Sequence, residues 1–192
     1  MEALWHPSPN FSKRDADIRF IVLHGTWMAD DTEVIERLCD PAAEVSAHYL
    51  IDFNGKLHQF VKEEDVAWHA GKSCWQGYEG LNKYSIGIEV SNLGEEVGAP
   101  YTAAQYNALI SLLKELAQRY NLPAENVIAH SDIAPDRKND PGAHFDWSVL
   151  EAAGVAAKPK LSQSPTIAEL KKFGYHGEEA DILAAYQRRV ST

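Results

Sequence analysis

Residues 18–24, IRFIVLH, form a nearly continuous apolar run rich in β-branched side chains. A strand that is apolar on both faces must be covered on both faces, so the run predicts a buried strand ending at His24. Residues 85–92, SIGIEVSN, alternate strictly: Ile86, Ile88 and Val90 face one way, and Ser85, Gly87, Glu89 and Ser91 the other. NVIAHS (126–131) predicts a further short strand ending at His130. In AHYLIDFNGKLHQFV two strand-like runs flank Asn54-Gly55, a dipeptide that tolerates positive φ and predicts a type I′ hairpin turn.

Helical patterns lie between these strands. DDTEVIERLCD predicts a short amphipathic helix with Asp30 or Asp31 as N-cap and Val34, Ile35 and Leu38 inward. Residues 102–120 predict the longest helix, with capping-box spacing at Thr102 and Gln105 and a buried side of Leu109, Ile110, Leu112, Leu113 and Leu116. Asp146 is placed to cap a short helix from Trp147. Interleaved strands and helices give an α/β fold class, a mixed central sheet flanked by helices.

The length, 192 residues, suits one domain, taken as residues 1–154. Beyond it GVAAKPKLSQSP reads as a linker, and 155–192 as linker plus a short helical tail. Ser164 can cap the first tail helix with Pro165 in its first turn, and Gly174 can close it. So short a tail cannot bury a core of its own, so it must dock on the domain, pair with another chain or stay loose.

Charge removes two classes of partner. With 18 basic and 28 acidic residues the net charge is −10. That argues against nucleic acid or an anionic membrane, both of which call for a basic footprint. No apolar run approaches the ~20 residues that span a bilayer. The first residues carry neither a signal-peptide core nor a cleavage site. Cys39 and Cys74 match no metal spacing and are expected to be free thiols. The expected location is therefore the cytoplasm, with the periplasm or cell envelope as the alternative if a leader has been removed.

His24 and His130 each end a predicted strand. If those strands are neighbours, both imidazoles emerge at one sheet edge, where ligands or catalytic groups from distant sequence can meet. Asp140 precedes Pro141-Gly142, which forces extended backbone and then a sharp turn. Two imidazoles and a carboxylate with one open position suit catalytic zinc. Asp132, Asp136 and His144 are rival ligands on spacing alone. Glu89 has only small neighbours on its face, which leaves room for a substrate and for proton relay. Lys138 could stabilise an oxyanion at the same site. AWHAG (67–71) has the character of a cleft edge, and His48, His58 and His69 suit structural or substrate-facing roles.

Five blocks in this order, IVLHGT, SAHYLID, AWHAG, SIGIEVSN and HSDIAPDRKNDPG, resemble the zinc-dependent N-acetylmuramoyl-L-alanine amidases of type 2, which share the peptidoglycan-recognition-protein fold. The resemblance runs from about residue 18 to 150, and the branch acting on anhydromuramoyl peptides, with its cell-wall relatives, is most similar. It implies zinc on His24, His130 and Asp140, with Glu89 and Lys138 as catalytic residues. It also implies that Trp68, His69 and Asn82 line the substrate groove. Some relatives carry Cys as third ligand and Tyr one residue before the His of the AHYL block. Asp140 and Ala47 stand at those positions here, which places the chain with the Asp-ligand branch.

The implied reaction is hydrolysis of the amide between the lactyl group of N-acetylmuramic acid and L-alanine of the stem peptide. The implied partners are peptidoglycan or its anhydromuropeptide fragments. The alternative is a binding-only muropeptide recognition module, since the same fold serves in proteins that bind without cutting. The tail resembles the first part of a small helical peptidoglycan-binding domain carried by some relatives.

Overall fold

Ten strands occur in chain order among residues 2–190, which the computed structural model describes. They are β1 (Leu4–Trp5), β2 (Phe11–Lys13), β3 (Phe20–Gly25), β4 (Tyr49–Ile51), β5 (Leu57–Gln59), β6 (Asp65–Ala67), β7 (Cys74–Trp75), β8 (Tyr78–Glu79), β9 (Ser85–Val90) and β10 (Val127–Ala129). The last two residues of the predicted 155–192 segment lie outside the described residues. Six strands make one mixed sheet in the order β1-β5-β4-β9-β3-β10, in which β4, β9, β3 and β10 run parallel and β5 pairs antiparallel with β4. The strand expected to end at His24 is β3, and β10 is its parallel neighbour, as a shared sheet edge requires.

The two-residue period of the strands sorts the core. Ile21 and Leu23 of β3, Ile86, Ile88 and Val90 of β9, and Val127 and Ala129 of β10 face one side. There they pack on α2 (Ala103–Tyr120) and α4 (Trp147–Ala152). The expected capping box of Thr102 and Gln105 closes the start of α2, and Asp146 caps α4. Of the predicted inward side of α2, only Ile110 is left half-buried.

The opposite face is covered in two separate patches. Phe20, Val22 and Ile128 pack beneath the tail helices α5 (Ile167–Phe173) and α6 (Glu179–Val190) and the short α3 (His130–Ile133). Leu50 of β4 packs under α1 (Asp31–Cys39), whose N-cap is Asp30 and whose buried residues are Val34 and Leu38. Between the patches a gap stays open over the C-terminal ends of the parallel strands. Continuing each strand's period by one step brings His24, Glu89 and His130 to that gap, since they follow the parity of Val22, Gly87 and Ile128. The ends of parallel strands are where open α/β sheets place ligands.

Two local expectations change. The hairpin forms, but Gly55 alone takes positive φ (80°), and its N–H donates to Asp52 O at 3.0 Å. Asp52 Oδ1 accepts from the N–H groups of Asn54 and Lys56, so an aspartate-capped turn with a single left-handed glycine replaces type I′. In the tail, Thr166 rather than Ser164 caps α5. It completes a box with Glu169, and Gly174 closes the helix as expected. No helix among the described residues is long and apolar enough to cross a membrane.

Candidate metal centre and active site

Three side chains converge at the gap. His24 Nδ1 lies 2.9 Å from His130 Nδ1 and 3.2 Å from Asp140 Oδ2, and His130 Nδ1 is 3.1 Å from the same carboxylate oxygen. All three residues are buried. His24 is the penultimate residue of β3, which runs one residue beyond its predicted end, and His130 opens α3 directly after β10. Asp140 is tied to that turn by Ser131 N–H, which donates to Asp140 O at 3.0 Å.

The surrounding hydrogen bonds fix the proton on each ring. His130 Nε2 faces Ala70 O at 3.3 Å, and a carbonyl can only accept, so the proton sits on Nε2 and Nδ1 keeps its lone pair. For His24 the chain of donors is longer. Ser85 Oγ donates to Leu81 O at 2.6 Å, so it accepts from His69 Nε2 at 3.2 Å. That leaves His69 Nδ1 as acceptor for His24 Nε2 at 3.0 Å, and His24 Nδ1 bare. Two imidazole lone pairs and a carboxylate therefore point at one another at about 3 Å. They repel unless a cation lies among them, and the N, N, O donor set suits a divalent metal. The group fits a metal and could hold one.

Glu89 is the strand-to-strand partner of His24 on β9. Its Oε2 is buried with no hydrogen-bond partner among the described residues. Burial, and then the Asp140 carboxylate, push its carboxyl up to about 8, against the opposing pull of Lys138. Lys138, His69 and Trp68 line the same cleft of about 360 Å³ as the triad and Glu89. The small face of β9 is not open as expected: the His69 ring lies on Gly87, where any Cβ would overlap it. His69 thus orients His24 as well as bordering the cleft. Asn82 lies outside this cleft, its Oδ1 accepting from the N–H groups of His69 and Ala70, so it holds the AWHAG backbone in place.

The rival ligands are elsewhere. Asp132 is buried against Ala129 N–H and the Tyr175 hydroxyl, while Asp136 and His144 are exposed. His48 is buried, accepting Gly87 N–H at Nδ1 and facing Asp65 O with Nε2, and His58 pairs with Asp52. Trp27 lines the cleft without having been anticipated. Its φ is +50°, unusual for so bulky a residue, and its indole rests against Gly25, Gly94 and Gly142. The signal available in the sequence was an aromatic three residues beyond a strand-end histidine.

Burial, followed for His24 by His130 and for His69 by His24, holds the rings of the metal-free protein neutral. His24 is pushed down to about 4, His48 to about 3 and His69 well below its usual value. A folded-state pKa below the unfolded value means the unfolded chain binds more protons, so stability is lost as pH falls below 6.5. Glu89, raised rather than lowered, runs the other way and offsets one of the three. Between pH 6 and 5, urea unfolding of the metal-free protein is expected to show a net uptake of protons on unfolding, with stability falling by on the order of 1–3 kcal/mol per pH unit. A flat or rising stability over this range would show the rings to be charged in the native state.

The sequence profile of the N-acetylmuramoyl-L-alanine amidase family matches residues 14–143. The chain belongs to this family. It is 44% identical to the N-acetylmuramoyl-L-alanine amidase AmiD of Escherichia coli over 156 residues, 74% of this chain and 55% of AmiD. To the 1,6-anhydro-N-acetylmuramyl-L-alanine amidase AmpD of Citrobacter freundii it is 46% identical over 170 residues, 79% of this chain and 89% of that protein. The chain thus spans about half the length of AmiD but most of the Citrobacter AmpD. Among amidases of known structure, AmiD in complex with its substrate anhydro-N-acetylmuramic acid-L-Ala-D-gamma-Glu-L-Lys superposes with a TM-score of 0.76. That match has 31% identity and covers 94% of this chain and 88% of the AmiD chain in that structure.

Proposed function

We propose that this chain hydrolyses the amide between N-acetylmuramic acid, or its 1,6-anhydro form, and L-alanine of the stem peptide, in peptidoglycan recycling or turnover. The observation that carries this reading is three bare lone pairs on His24, His130 and Asp140 beside the unpartnered Glu89 carboxyl. The likeness to AmiD, whose substrate is an anhydromuramoyl peptide, supports the choice of amide. Zinc is the cation we assign to the triad. When bound it supplies Lewis acidity toward the scissile carbonyl and lowers the pKa of water to about 7.

Glu89 accepts the proton of the attacking water and passes it to the departing amine of L-alanine. Its burial keeps that proton within the cleft, and a cation at the triad favours its charged, basic form before attack. Lys138 donates to the carbonyl oxygen as negative charge develops there. His69 keeps the His24 tautomer fixed and with Trp68 borders the groove, while Asn82 supports both by holding their backbone. Residues 1–154 are the proposed catalytic unit and 155–192 the tail. The unlinked thiols of Cys39 and Cys74 are compatible with a cytoplasmic location, the compartment we propose.

Incubating the zinc-loaded protein with anhydromuramoyl tripeptide and with intact sacculi, followed by mass identification of products, tests this reading. Release of peptides with a free N-terminal L-alanine is expected. Binding of either substrate with no cleavage at any pH would leave the recognition-module reading in its place. Within the same assay Trp27→Ala is expected to raise KM about tenfold, about 1.4 kcal/mol of lost aromatic contact, with kcat little changed. An unchanged KM would remove Trp27 from the binding surface.

A further inference from the structure

The tail makes two polar contacts that reach the ligand-bearing loop, one near each end. Tyr175, between α5 and α6, donates its hydroxyl to Asp132 Oδ1 at 2.7 Å, and both groups are fully buried. The other oxygen of Asp132 accepts Ala129 N–H at 2.8 Å, so this carboxylate bridges the tail to the residues on either side of His130. At the far end, Arg188 Nε of α6 donates to Glu95 Oε1 at 3.0 Å, and that oxygen also accepts Ala143 N–H at 2.9 Å, three residues beyond Asp140. Between these points the Arg189 guanidinium lies 3.6 Å over the Trp147 ring. Leu170, Tyr175, Ile182 and Ala185 are buried against Phe20, Val22, Ile128 and Ile133, so the apolar face of the tail is committed to the catalytic unit.

We propose that the tail is a positioning clamp for the metal-ligand loop, with Tyr175 and Arg188 fixing the segments that carry His130 and Asp140. The inference rests on the assignment of His24, His130 and Asp140 as metal ligands. The physical reason is that a metal binds tightly only when its ligands are already oriented. A ligand loop freed at one anchor must be ordered at the moment of binding, and loss of such outer contacts typically weakens metal affinity 10–100-fold. The loop contains four residues of the DRKN type and a Pro-Gly break, with little apolar content to hold it by itself. Its order is supplied by the Ser131–Asp140 tie, by Arg137 donating to Ala70 O and Lys72 O, by Tyr101 donating to Pro141 O, and by the tail, which reaches the His130 end through Asp132 and the Asp140 end through Glu95.

The test is zinc affinity of the full chain, measured by competition with a chelating dye, alongside the thermal midpoint of the metal-free protein. Tyr175→Phe keeps the ring and its packing but removes the hydroxyl. It is expected to weaken zinc binding about tenfold or more while lowering the midpoint by less than Leu170→Ala does, the fall reflecting the unpaired Asp132 oxygen. Arg188→Ala is expected to weaken it less, because Glu95 keeps its bond to Ala143. Leu170→Ala, which opens a cavity in the tail core without touching Asp132, is the control: a larger fall in midpoint, with zinc affinity within about twofold of the parent well below that midpoint. Parent-like zinc affinity in Tyr175→Phe would overturn the clamp, as would equal weakening in Leu170→Ala, which would reduce the tail to general stability. A parent chain that binds no zinc would instead sink the ligand assignment, and the clamp with it.

Discussion

Glu89→Ala is expected to keep its full complement of zinc and to lose turnover by about 10²–10⁴-fold, the range that a positioned acid–base group supplies. The carboxyl stands beside the three convergent ligand atoms but has no hydrogen bond to any of them, so its removal leaves the metal group intact. The other carboxylate that lines the cleft, Asp140, is itself one of the three convergent ligands. Stability should move the opposite way from activity. A half-buried carboxyl whose Oε2 has no hydrogen-bond partner is a cost to the fold, and above pH 8, where it ionises in the metal-free protein, the cost is larger. Metal-free Glu89→Ala is therefore expected to melt no lower than the parent. Zinc content by elemental analysis, turnover of anhydromuramoyl tripeptide and a thermal scan decide the matter together. Activity within tenfold of the parent would move the proton work to another group.

Asp140→Ala is expected to fail one step earlier, with zinc affinity reduced by more than about a hundredfold, beyond what loss of an outer-shell partner costs. Activity should fall with metal content. The main-chain tie from Ser131 to Asp140 O survives the substitution, so the loop keeps its path and the loss reports on the carboxylate itself. Elemental analysis after dialysis is the measurement. A fully zinc-loaded Asp140→Ala protein would refute the triad. It would also be difficult to rescue with the rivals considered from spacing, because Asp132 is bonded on both oxygens and Asp136 and His144 face solvent.

Much of this site was legible in one dimension because strand geometry is local. Alternation with period two fixes which side of β9 carries Glu89 from six residues alone, and an apolar run that stops at His24 places that imidazole at a strand end. Capping boxes are equally local, as Thr102 with Gln105 shows. The same local logic points to Ser164 rather than Thr166 as the tail's cap, since Pro165, directly before the true cap, mimics a first helical position. It also chose a type I′ turn at Asn54-Gly55, because Asp52, which reorganises that turn, acts through a side-chain bond two residues earlier.

The sequence by itself determined the strands β3, β4, β5, β9 and β10, the face that His24, Glu89 and His130 carry to the cleft, and the residue types that can hold a metal; the short strands β1, β2, β6, β7 and β8 carry no such pattern. Only the tertiary structure decided which of those residues meet. Gly87 read as room for a substrate, yet the space it leaves is filled by His69, 18 residues away in the chain, and that ring sets the His24 tautomer. Spacing favours Asp140 through its Pro-Gly turn but does not exclude Asp132; the fold separates them, because the Tyr175 hydroxyl engages Asp132 and Asp140 converges with the imidazoles. The reason is physical: period and capping depend on neighbours along the chain, whereas the proton on a buried ring and the partner of a buried carboxylate depend on atoms brought together by packing.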